Sequence, residues 1–375
     1  MTKPVYINWA FENGSPMDWE ENPEGTVAFQ PLFDYERGSR NRQLTHWHFK
    51  LSGTKGQTLR LRIPPKDNIY GGRNGNAFPV PVGAQMSGDG VNWTPMIFQT
   101  MPDKSIETTV TLPADEVFFA RIEPYTTRHL AELLERIKDN PRVKIEAIGE
   151  TVEGRPLEMI TLSAGPGRKS ALIRGRAHPW EAGGNWFIDG IVEQALSDPA
   201  ILAELDIHIL PMACKDGVVR GLTRFNVNGY DLNRGFARGL TFSKDAAAEN
   251  FHLVQWLDAR KAEGTLPCFA MDLHDDDNGN LHFNAGADAA HLGRMHILEK
   301  LMREGSYFSE GIEKGSIPTF GYGLLELYGI DSISYELNSN WLNAVNSVPD
   351  SKVWRKFGSQ FAEVLRNFFA EVYKR

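Results

Sequence analysis

The sequence predicts a mixed α/β sheet covered by helices, preceded by an antiparallel β-sandwich. Its 375 residues exceed one average domain, and its hydrophobic content of 41% is enough to bury two cores. The pattern changes near residue 125, where short strand-like runs give way to helices that alternate with strands. We therefore expect an N-terminal sandwich domain over residues 1–124 and an α/β domain over residues 125–375.

Short runs with a hydrophobic period near two predict the strands of the first domain. They lie at residues 47–51, 58–63, 108–112 and 117–122, separated by Gly, Pro and Asn. Such runs with frequent turns are typical of an antiparallel sandwich. The run 71–76, Gly-Gly-Arg-Asn-Gly-Asn, is predicted to be an irregular loop. Its glycines suggest a phosphate-binding loop, but the flanking strand and helix that such a loop needs are not indicated.

Helices alternate with strands in the second domain. Thr127 is predicted to cap a helix that residues 139–141 end, with an apolar face of Leu130, Leu133, Leu134 and Ile137. Strands are predicted at residues 143–148, 157–162, 171–177, 205–212, 268–274 and 332–337. Further helices are predicted at 184–196, 245–262, 289–303 and 351–373. This alternation predicts a sheet covered by helices.

Composition argues against several classes of partner. The formal net charge is -8 and no block of Lys and Arg is present, so nucleic acid is not an expected partner. No stretch approaches the roughly 18 apolar residues of a membrane span, and the first residues contain no apolar signal segment. We therefore expect no membrane association and a cytoplasmic location. Cys214 and Cys268 lie in apolar runs and are expected to be reduced thiols.

Four short stretches, far apart in the sequence, supply what a mononuclear hydrolytic zinc site needs. They are His178-Pro179-Trp180-Glu181, Asp231-Leu232-Asn233-Arg234, Asp272-Leu273-His274 and Ser334-Tyr335-Glu336-Leu337. A catalytic zinc takes three protein ligands and leaves a fourth position for water. His178, Glu181 and His274 fill that set, and Glu336 remains as the base. The predicted strands place these residues near carboxyl ends, where sites form in open α/β sheets.

Each of these assignments has a rival. His282 lies eight residues after His274, but only His274 closes an apolar run. The acidic residues 275–277 that follow it have the composition of a solvated turn. Glu336 lies within an apolar strand, where a carboxylate is costly without a partner. Its alternative role is a buried ion pair with an arginine.

The most specific segment runs from Arg224 to Arg234, Arg-Phe-Asn-Val-Asn-Gly-Tyr-Asp-Leu-Asn-Arg. This motif, with His-Pro-Trp-Glu before it and a strand-terminal His after it, resembles the zinc carboxypeptidases. It is most similar to their cytosolic carboxypeptidase branch, which carries a β-sandwich ahead of the catalytic domain. The sandwich of that branch has features that match residues 47–49 and 117–120. The segment that leads from it into the first helix matches residues 123–127. The resemblance therefore covers nearly the whole chain.

The resemblance implies a role for each matching residue. His178, Glu181 and His274 would hold one zinc ion per chain, and Glu336 would act as general base and acid. Asn233 and Arg234 would bind the terminal carboxylate of the substrate, Arg224 would stabilise the oxyanion, and Asp231 would lie behind a ligand histidine. Trp180 departs from the Gly usual in this branch. The substrate-binding tyrosine of the family has two candidates, Tyr322 and Tyr328.

The function implied is a zinc metallocarboxypeptidase that removes a residue from the carboxyl end of a peptide, a protein or an amino-acid branch. One alternative is a zinc amidohydrolase of N-acyl amino acids on the same scaffold; its relatives generally lack the sandwich. Another is a binding protein with an inactive zinc site. An intact Glu336 argues against that, since loss of the base is the simplest route to inactivity.

Overall fold

The computed structural model describes residues 4–37, 39–78 and 80–373. In this part of the chain, eleven strands precede the first helix: β1 (Tyr6–Asn8), β2 (Met17–Glu21), β3 (Thr26–Pro31), β4 (His48–Ser52), β5 (Thr58–Ile63), β6 (Asp67–Tyr70), β7 (Arg73–Asn76), β8 (Val82–Ser87), β9 (Thr94–Thr100), β10 (Ile106–Thr111) and β11 (Glu116–Ala120). The runs predicted as strands correspond to β4, β5, β10 and β11.

Nine of these strands form one connected sheet in the order β1-β4-β11-β8-β9-β10-β5-β3-β2. Its pairings are antiparallel except that of β3 with β5. Alternate side chains of β5 are buried and exposed, as the period of two predicted. Buried aromatic rings form the centre of its core, among them Trp47, Phe49 and Phe119.

The run 71–76 is part of a hairpin, so the prediction of an irregular loop was wrong. Strands β6 and β7 pair antiparallel with Tyr70 opposite Arg73, which leaves Gly71 and Gly72 as a two-residue turn. Their φ angles of 58° and 80° are those of a primed hairpin turn. The strand residues carry few β-branched or aromatic side chains, so propensity gave no signal.

The rest of the chain alternates helices and strands: α1 (Thr127–Ile137), β12 (Val143–Glu150), β13 (Pro156–Leu162), β14 (Ser170–Gly175), α2 (Ala182–Ser197), α3 (Pro199–Glu204), β15 (Asp206–Leu210), α4 (Lys215–Val219), α5 (Ala248–Ala262), β16 (Phe269–Asp276), β17 (Leu281–Asn284), α6 (Ala289–Gly305), β18 (Ile312–Gly315), α7 (Phe320–Tyr328), β19 (Asp331–Asn338) and α8 (Ser351–Val372). Each strand and helix predicted for this part is present. The N-cap of α1 is Thr126 rather than Thr127.

Eight strands form a mixed sheet in the order β12-β13-β15-β14-β16-β19-β17-β18. The central strands β14, β16 and β19 are parallel, and every residue of β14 is buried. Ala171 and Ile173 point into a core shared with α2 and α8, whereas Leu172 points into a core shared with α5 and α7. Helices therefore cover both faces, as parallel sheets require. No helix in the described ranges is long and apolar enough to span a lipid bilayer.

Candidate active site

The carboxyl ends of three central strands place the candidate residues together. His178 and Glu181 lie in the connection from β14 to α2, and Glu181 is the N-cap of that helix. His274 lies in β16 and Glu336 in β19, directly opposite each other in the parallel register. Because side chains two residues apart share a face of a sheet, Asp272 and His274 point to the same side.

His178, Glu181 and His274 form a cluster that could hold a metal ion. Both carboxylate oxygens of Glu181 face histidine nitrogens, His178 Nδ1 at 2.6 Å and His274 Nδ1 at 2.8 Å. One ligand atom from each residue lies within 4.8 Å of the others. Among the described residues this is the one such cluster, and His282 is not part of it.

The other nitrogen of each histidine faces a carboxylate. His178 Nε2 lies 3.1 Å from Asp231 Oδ1, and His274 Nε2 lies 2.7 Å from Asp272 Oδ2. Ligand histidines of zinc proteins typically donate their second N–H in this way, which fixes the tautomer and the ring orientation. The donor set and its supporting carboxylates therefore fit a zinc ion.

Charges around the cluster favour the ionised forms of Glu181 and Asp231. Burial opposes ionisation of Glu181, yet His178 and His274 outweigh it and lower its pKa to about 2. Burial likewise acts against Asp231, but Arg224 holds the pKa of that carboxylate well below its usual range. The guanidinium of Arg224 binds Asp231 Oδ2 through Nε at 2.9 Å and Nη2 at 2.7 Å.

Two buried residues of this network, Arg174 and Asp272, were not given a role from the sequence. Arg174 in β14 is opposite Asp272 in the parallel register and binds both of its oxygens, at 2.7 and 2.6 Å. Asp272 is thus held between Arg174 and His274. The signal was an arginine within an apolar strand run, but its partner becomes visible only when β14 and β16 are paired.

Arg176 shapes the loop that carries His178 and Glu181. Its backbone has a positive φ of 60°, and its buried side chain donates to the carbonyl of Pro179 at 2.6 Å and to Asn185 Oδ1 at 2.8 Å. A non-glycine residue in this conformation is uncommon and marks a loop whose surroundings determine its shape.

Glu336 is half-buried in the cavity wall. Within the described ranges no Lys or Arg nitrogen lies within 4 Å of its carboxylate, so the alternative role in a buried ion pair finds no partner there. Burial raises its pKa well above the usual range, although His274 opposes this effect. The carboxylate is therefore placed beside the cluster without being neutralised by a basic side chain.

Asn233 and Arg234 have different surroundings. Asn233 is buried, its Oδ1 accepts the N–H of Phe320 at 3.0 Å, and its Nδ2 lies 2.9 Å from His274 Nε2. Arg234 lines the cavity and donates to the carbonyl of Asn233 at 2.7 Å. In the part of the chain that the structure describes, Arg234 has no carboxylate partner. It is thus the cation in the cavity that can receive an external anion.

A cavity of about 560 Å³ opens over the cluster. Tyr322, one of the two candidate tyrosines, lines it, whereas Tyr328 donates to Asp258 Oδ1 at 2.8 Å and does not. Trp180 also lines the cavity but is only 5% exposed, and the Arg121 guanidinium lies over its ring at 5.8 Å. Residues of the N-terminal region form another wall of the same cavity, from Asn41 to Val80.

The acidic residues after His274 are not a solvated turn. Asp275 is buried, and its Oδ2 accepts the N–H of Gly183 in the first turn of α2 at 2.7 Å. A carboxylate at a helix N-terminus is favoured by the helix dipole. Asp277 is bound by Arg121 at 2.8 Å. These residues therefore connect β16 to α2 and to the N-terminal sheet.

The backbone of the loop that carries Arg224 is held from the N-terminal region. The carboxylate of Asp34 accepts the N–H groups of Thr223, Arg224 and Phe225 at 3.0, 2.6 and 3.1 Å. The amide of Arg37 donates to Gly229, whose φ of 80° lies in the region that favours glycine. A Cβ at Gly229 would lie 2.9 Å from the Arg37 nitrogen, so the close approach of the two segments also requires glycine.

A family model described as zinc carboxypeptidase matches residues 130–259. The resemblance to the zinc carboxypeptidases is confirmed. The matched segment includes His178, Glu181 and the Arg224–Arg234 motif. Because this is a zinc family, the match implies one zinc ion per chain, for which the His-Glu-His cluster is the candidate site.

Two other proteins are similar to this chain in sequence. Cytosolic carboxypeptidase 3 of Bos taurus is 28% identical over 190 residues, 47% of this chain, although the chain spans only 18% of that protein. The uncharacterised protein ZMO1242 of Zymomonas mobilis is 28% identical over 285 residues, 73% of this chain and 68% of that protein. The cytosolic carboxypeptidase relative and the family match support a hydrolase that acts on peptide bonds.

A solved structure shows the same fold. The metallo-carboxypeptidase of Burkholderia cenocepacia superimposes with a TM-score of 0.83 at 20% identity, covering 98% of this chain and 99% of that one. The chain thus has a mixed α/β carboxypeptidase-like fold.

Proposed function

We propose that this chain is a zinc-dependent metallocarboxypeptidase that hydrolyses the last peptide bond, or a branch amide, of a peptide or protein with a free carboxyl end. The observation that carries the proposal is a His-Glu-His cluster beneath the same cavity as Arg234, which has no carboxylate partner among the described residues. The cluster would hold the zinc ion for hydrolysis, and Arg234 would bind the terminal carboxylate.

Each residue has a proposed part in the hydrolysis. His178, Glu181 and His274 would hold zinc, which when bound lowers the pKa of a coordinated water toward ~7 and polarises the substrate carbonyl. Glu336 takes a proton from the attacking water while the water oxygen bonds to the carbonyl carbon. It then passes that proton to the nitrogen of the amine that leaves as the C–N bond breaks. Arg224 donates to the oxygen on which negative charge develops.

Recognition of the terminus is assigned to Arg234, with Asn233 beside it. A guanidinium matches a carboxylate in two parallel hydrogen bonds, and Arg234 has its charge available for one. Asp272 orients the His274 ring by accepting from its Nε2, which lies 2.7 Å from Asp272 Oδ2. Asp231 orients His178 in the same way.

The test compares a peptide with a free carboxyl end and the same peptide with an amidated end. Loss of a charged hydrogen bond costs ~1.5 to 3 kcal/mol, so the free acid should be cleaved at least about tenfold to a hundredfold faster by kcat/KM. Arg234→Ala should remove most of this difference, whereas Arg238→Ala, at an exposed residue four positions on, should retain it. Equal cleavage of acid and amide by the unmodified enzyme, or cleavage inside the peptide, would contradict the proposal.

We further propose that residues 1–124 form an antiparallel β-sandwich domain and residues 125–375 the catalytic domain. Support comes from separate buried cores in the two parts. The proposed compartment is the cytoplasm, which the name of the cytosolic relatives supports.

A further inference from the structure

The loop that carries Arg224 is wrapped around a carboxylate from the N-terminal region. Asp34, in the segment between β3 and β4, accepts three consecutive backbone N–H groups, those of residues 223–225. Its Oδ2 accepts all three, at 3.1, 2.6 and 3.1 Å, and its Oδ1 lies 3.0 Å from the Thr223 nitrogen. Consecutive N–H groups that converge on one point form a nest, a backbone arrangement that binds anions. In this protein a distant part of the chain supplies the anion.

The conformation of this loop depends on Asp34. Thr223, Arg224 and Phe225 are buried, and among the described residues Asp34 is the acceptor of each of their N–H groups. A buried N–H without an acceptor costs about as much free energy as a lost hydrogen bond. The carboxylate of Asp34 therefore stabilises this particular path of the backbone.

Asp34 and Asp231 hold Arg224 at its two ends. The backbone N–H of Arg224 donates to Asp34, whereas its guanidinium donates to Asp231 through Nε at 2.9 Å and Nη2 at 2.7 Å. A long side chain loses much rotamer freedom when it is ordered, and fixing both ends in advance pays that entropy during folding. The guanidinium is therefore in place before a substrate binds.

One peptide group connects Asp34 to the loop of the candidate zinc ligands. Its N–H, which belongs to Arg224, donates to Asp34 at 2.6 Å. Its carbonyl, which belongs to Thr223, accepts the N–H of Trp180 at 3.3 Å, and Trp180 lies between His178 and Glu181. The carboxylate thus fixes a peptide group that lies between the N-terminal region and the loop of the ligands.

A second contact fixes the other side of the Arg224 loop. The amide of Arg37 donates to the carbonyl of Gly229 at 2.9 Å, and the Arg37 guanidinium lies 5.8 Å from the centre of the Tyr230 ring. Asp231 follows immediately in the sequence. Residues 34–37 therefore hold the loop near both members of the ion pair that it carries.

We propose that Asp34 is a positioning residue of the active site, which acts through the backbone of residues 223–225 to hold Arg224 where the oxyanion develops. This inference rests on the proposed carboxypeptidase function and adds a residue of the N-terminal region that controls the rate of the chemical step. Among the described residues, those whose N–H groups Asp34 accepts do not include Arg234. Recognition of the terminal carboxylate should therefore be independent of Asp34.

The first test is Asp34→Ala in the zinc-loaded full chain, assayed on a peptide with a free carboxyl end and on its amide. The variant's kcat should fall about tenfold to a hundredfold, because a misplacement of about 1 Å can cost ~10²-fold. The preference for the acid in kcat/KM should stay at least about tenfold, and zinc near one per chain, because Arg234 and the three ligands are intact.

The outcomes of this test separate the inference from the proposed function. A variant kcat within about twofold of the wild type, with the acid still preferred, would overturn the inference and leave the proposed function standing. Loss of zinc from the variant would also overturn it, since Asp34 would then act on the metal site rather than on Arg224. A wild type that cleaves acid and amide equally would overturn both.

Added formate distinguishes positioning from a contribution to folding alone. Asp34 is half-buried, so the space left by its carboxylate can be reached from solvent, and the three N–H groups form an anion site there. Sodium formate should raise the kcat of Asp34→Ala, relative to wild type in the same salt, at least about threefold over sodium chloride of equal concentration. A contribution to folding alone predicts no effect of formate on the folded variant. Equal relative kcat in the two salts would overturn the inference.

Asp34→Asn is the second variant, for the case that Asp34→Ala does not fold. Asparagine keeps the size and one accepting oxygen, but its NH2 group then faces the N–H of Thr223. Its kcat should fall about threefold to tenfold, the effect of about one hydrogen bond. A kcat equal to that of the wild type would overturn the inference.

Asp89→Ala is the matched control. Asp89 is also a carboxylate of the N-terminal region that accepts backbone N–H groups, those of Val91 at 2.8 Å and Asn92 at 2.7 Å, but it does so within one exposed turn. The control should keep the wild-type kcat in both salts. Equal losses of kcat in Asp89→Ala and Asp34→Ala would overturn the inference.

Discussion

Glu336 keeps a carboxylate in the cavity wall with no basic partner among the described residues. Burying such a group is costly, and perturbed ionisable groups in clefts mark functional sites. The sequence could single it out, because a carboxylate inside an apolar strand run is unusual. Whether an arginine paired with it depended on packing between distant segments, which the sequence did not show.

The variant Glu336→Gln distinguishes a catalytic role of this residue from a structural one. Glutamine keeps the shape but cannot accept the proton of water, so kcat should fall at least ~10²-fold, the typical contribution of a general base. Zinc content, measured by mass spectrometry, should stay near one per chain because the three ligands are intact. Glu326→Gln, at an exposed glutamate of α7, should retain activity. Normal turnover in Glu336→Gln would remove the proposed role.

The supporting residues of the site were harder to predict than the ligands. The proposed ligand roles of His178, Glu181 and His274 can be predicted from residue type and from position at strand ends. The roles of Arg174 and Asp272 can be inferred only once the strands are paired. Both are charged residues within apolar runs, and each looks unfavourable alone. Only the register, in which Arg174 lies opposite Asp272, shows that the two charges satisfy each other.

Among the elements, segments with a clear apolar pattern were predictable and segments without one were not. Helix α8 has an apolar face with the helical period, and strand β14 contains an apolar run, so local sequence indicates both. The β6–β7 hairpin owes its strands to a Gly-Gly turn and to contacts with the segment before β4, so propensity did not indicate it. Helices α3, α4 and α7 have at most nine residues, too few for a clear period.

Helix α5 contains a residue that tests how the free energy of unfolding depends on pH. Glu249 in its first turn is buried, and burial raises its pKa from 4.5 to about 7, with Asp216 of α4 adding to the effect and Asn226 opposing it. Cys214, beside α4, is also buried and its thiol pKa is raised. Between pH 4.5 and 7 the folded chain holds a proton at Glu249 that the unfolded chain releases. Glu249 therefore lowers the free energy of unfolding as the pH rises through that window.

Glu249→Gln should remove this pH dependence. The gain in unfolding free energy of the variant over the wild type should be small near pH 4.5, increase through pH 7 and then level off. It should reach roughly 3 kcal/mol, because a shift of one pKa unit corresponds to about 1.4 kcal/mol. Urea unfolding at a series of pH values measures it. Glu371→Gln, at an exposed glutamate of α8, should differ from wild type by no more than about 0.5 kcal/mol. A pH-independent difference for Glu249→Gln would contradict the expectation.

At the scale of the whole molecule, the N-terminal sheet and the catalytic part are joined by buried polar contacts. Arg121, just after β11, is 2% exposed and donates to Asn340 Oδ1 at 2.6 Å, Asp277 Oδ1 at 2.8 Å and the carbonyl of Gly83 at 2.8 Å. Gln85 of β8 donates to the carbonyl of Pro349 at 2.9 Å. Asp277 also lines the cavity, so this junction lies beside it.

Arg121→Met tests this junction. Methionine keeps much of the buried volume but leaves Asp277, Asn340 and the carbonyls of Gly83 and Ser339 without their donor. This loss should cost about 3 to 5 kcal/mol of unfolding free energy. Calorimetry should show one cooperative transition for the wild type and, for the variant, a lower midpoint or two separated transitions. Arg62→Met is the control, because Arg62 pairs with Asp103 and Glu107 at the surface of the N-terminal sheet and should cost no more than ~1 kcal/mol. Equal costs for the two variants would show that the Arg121 contacts do not couple the two parts, and polar contacts such as the hydrogen bonds of Asp34, Arg37 and Gln85 would then be left to join them.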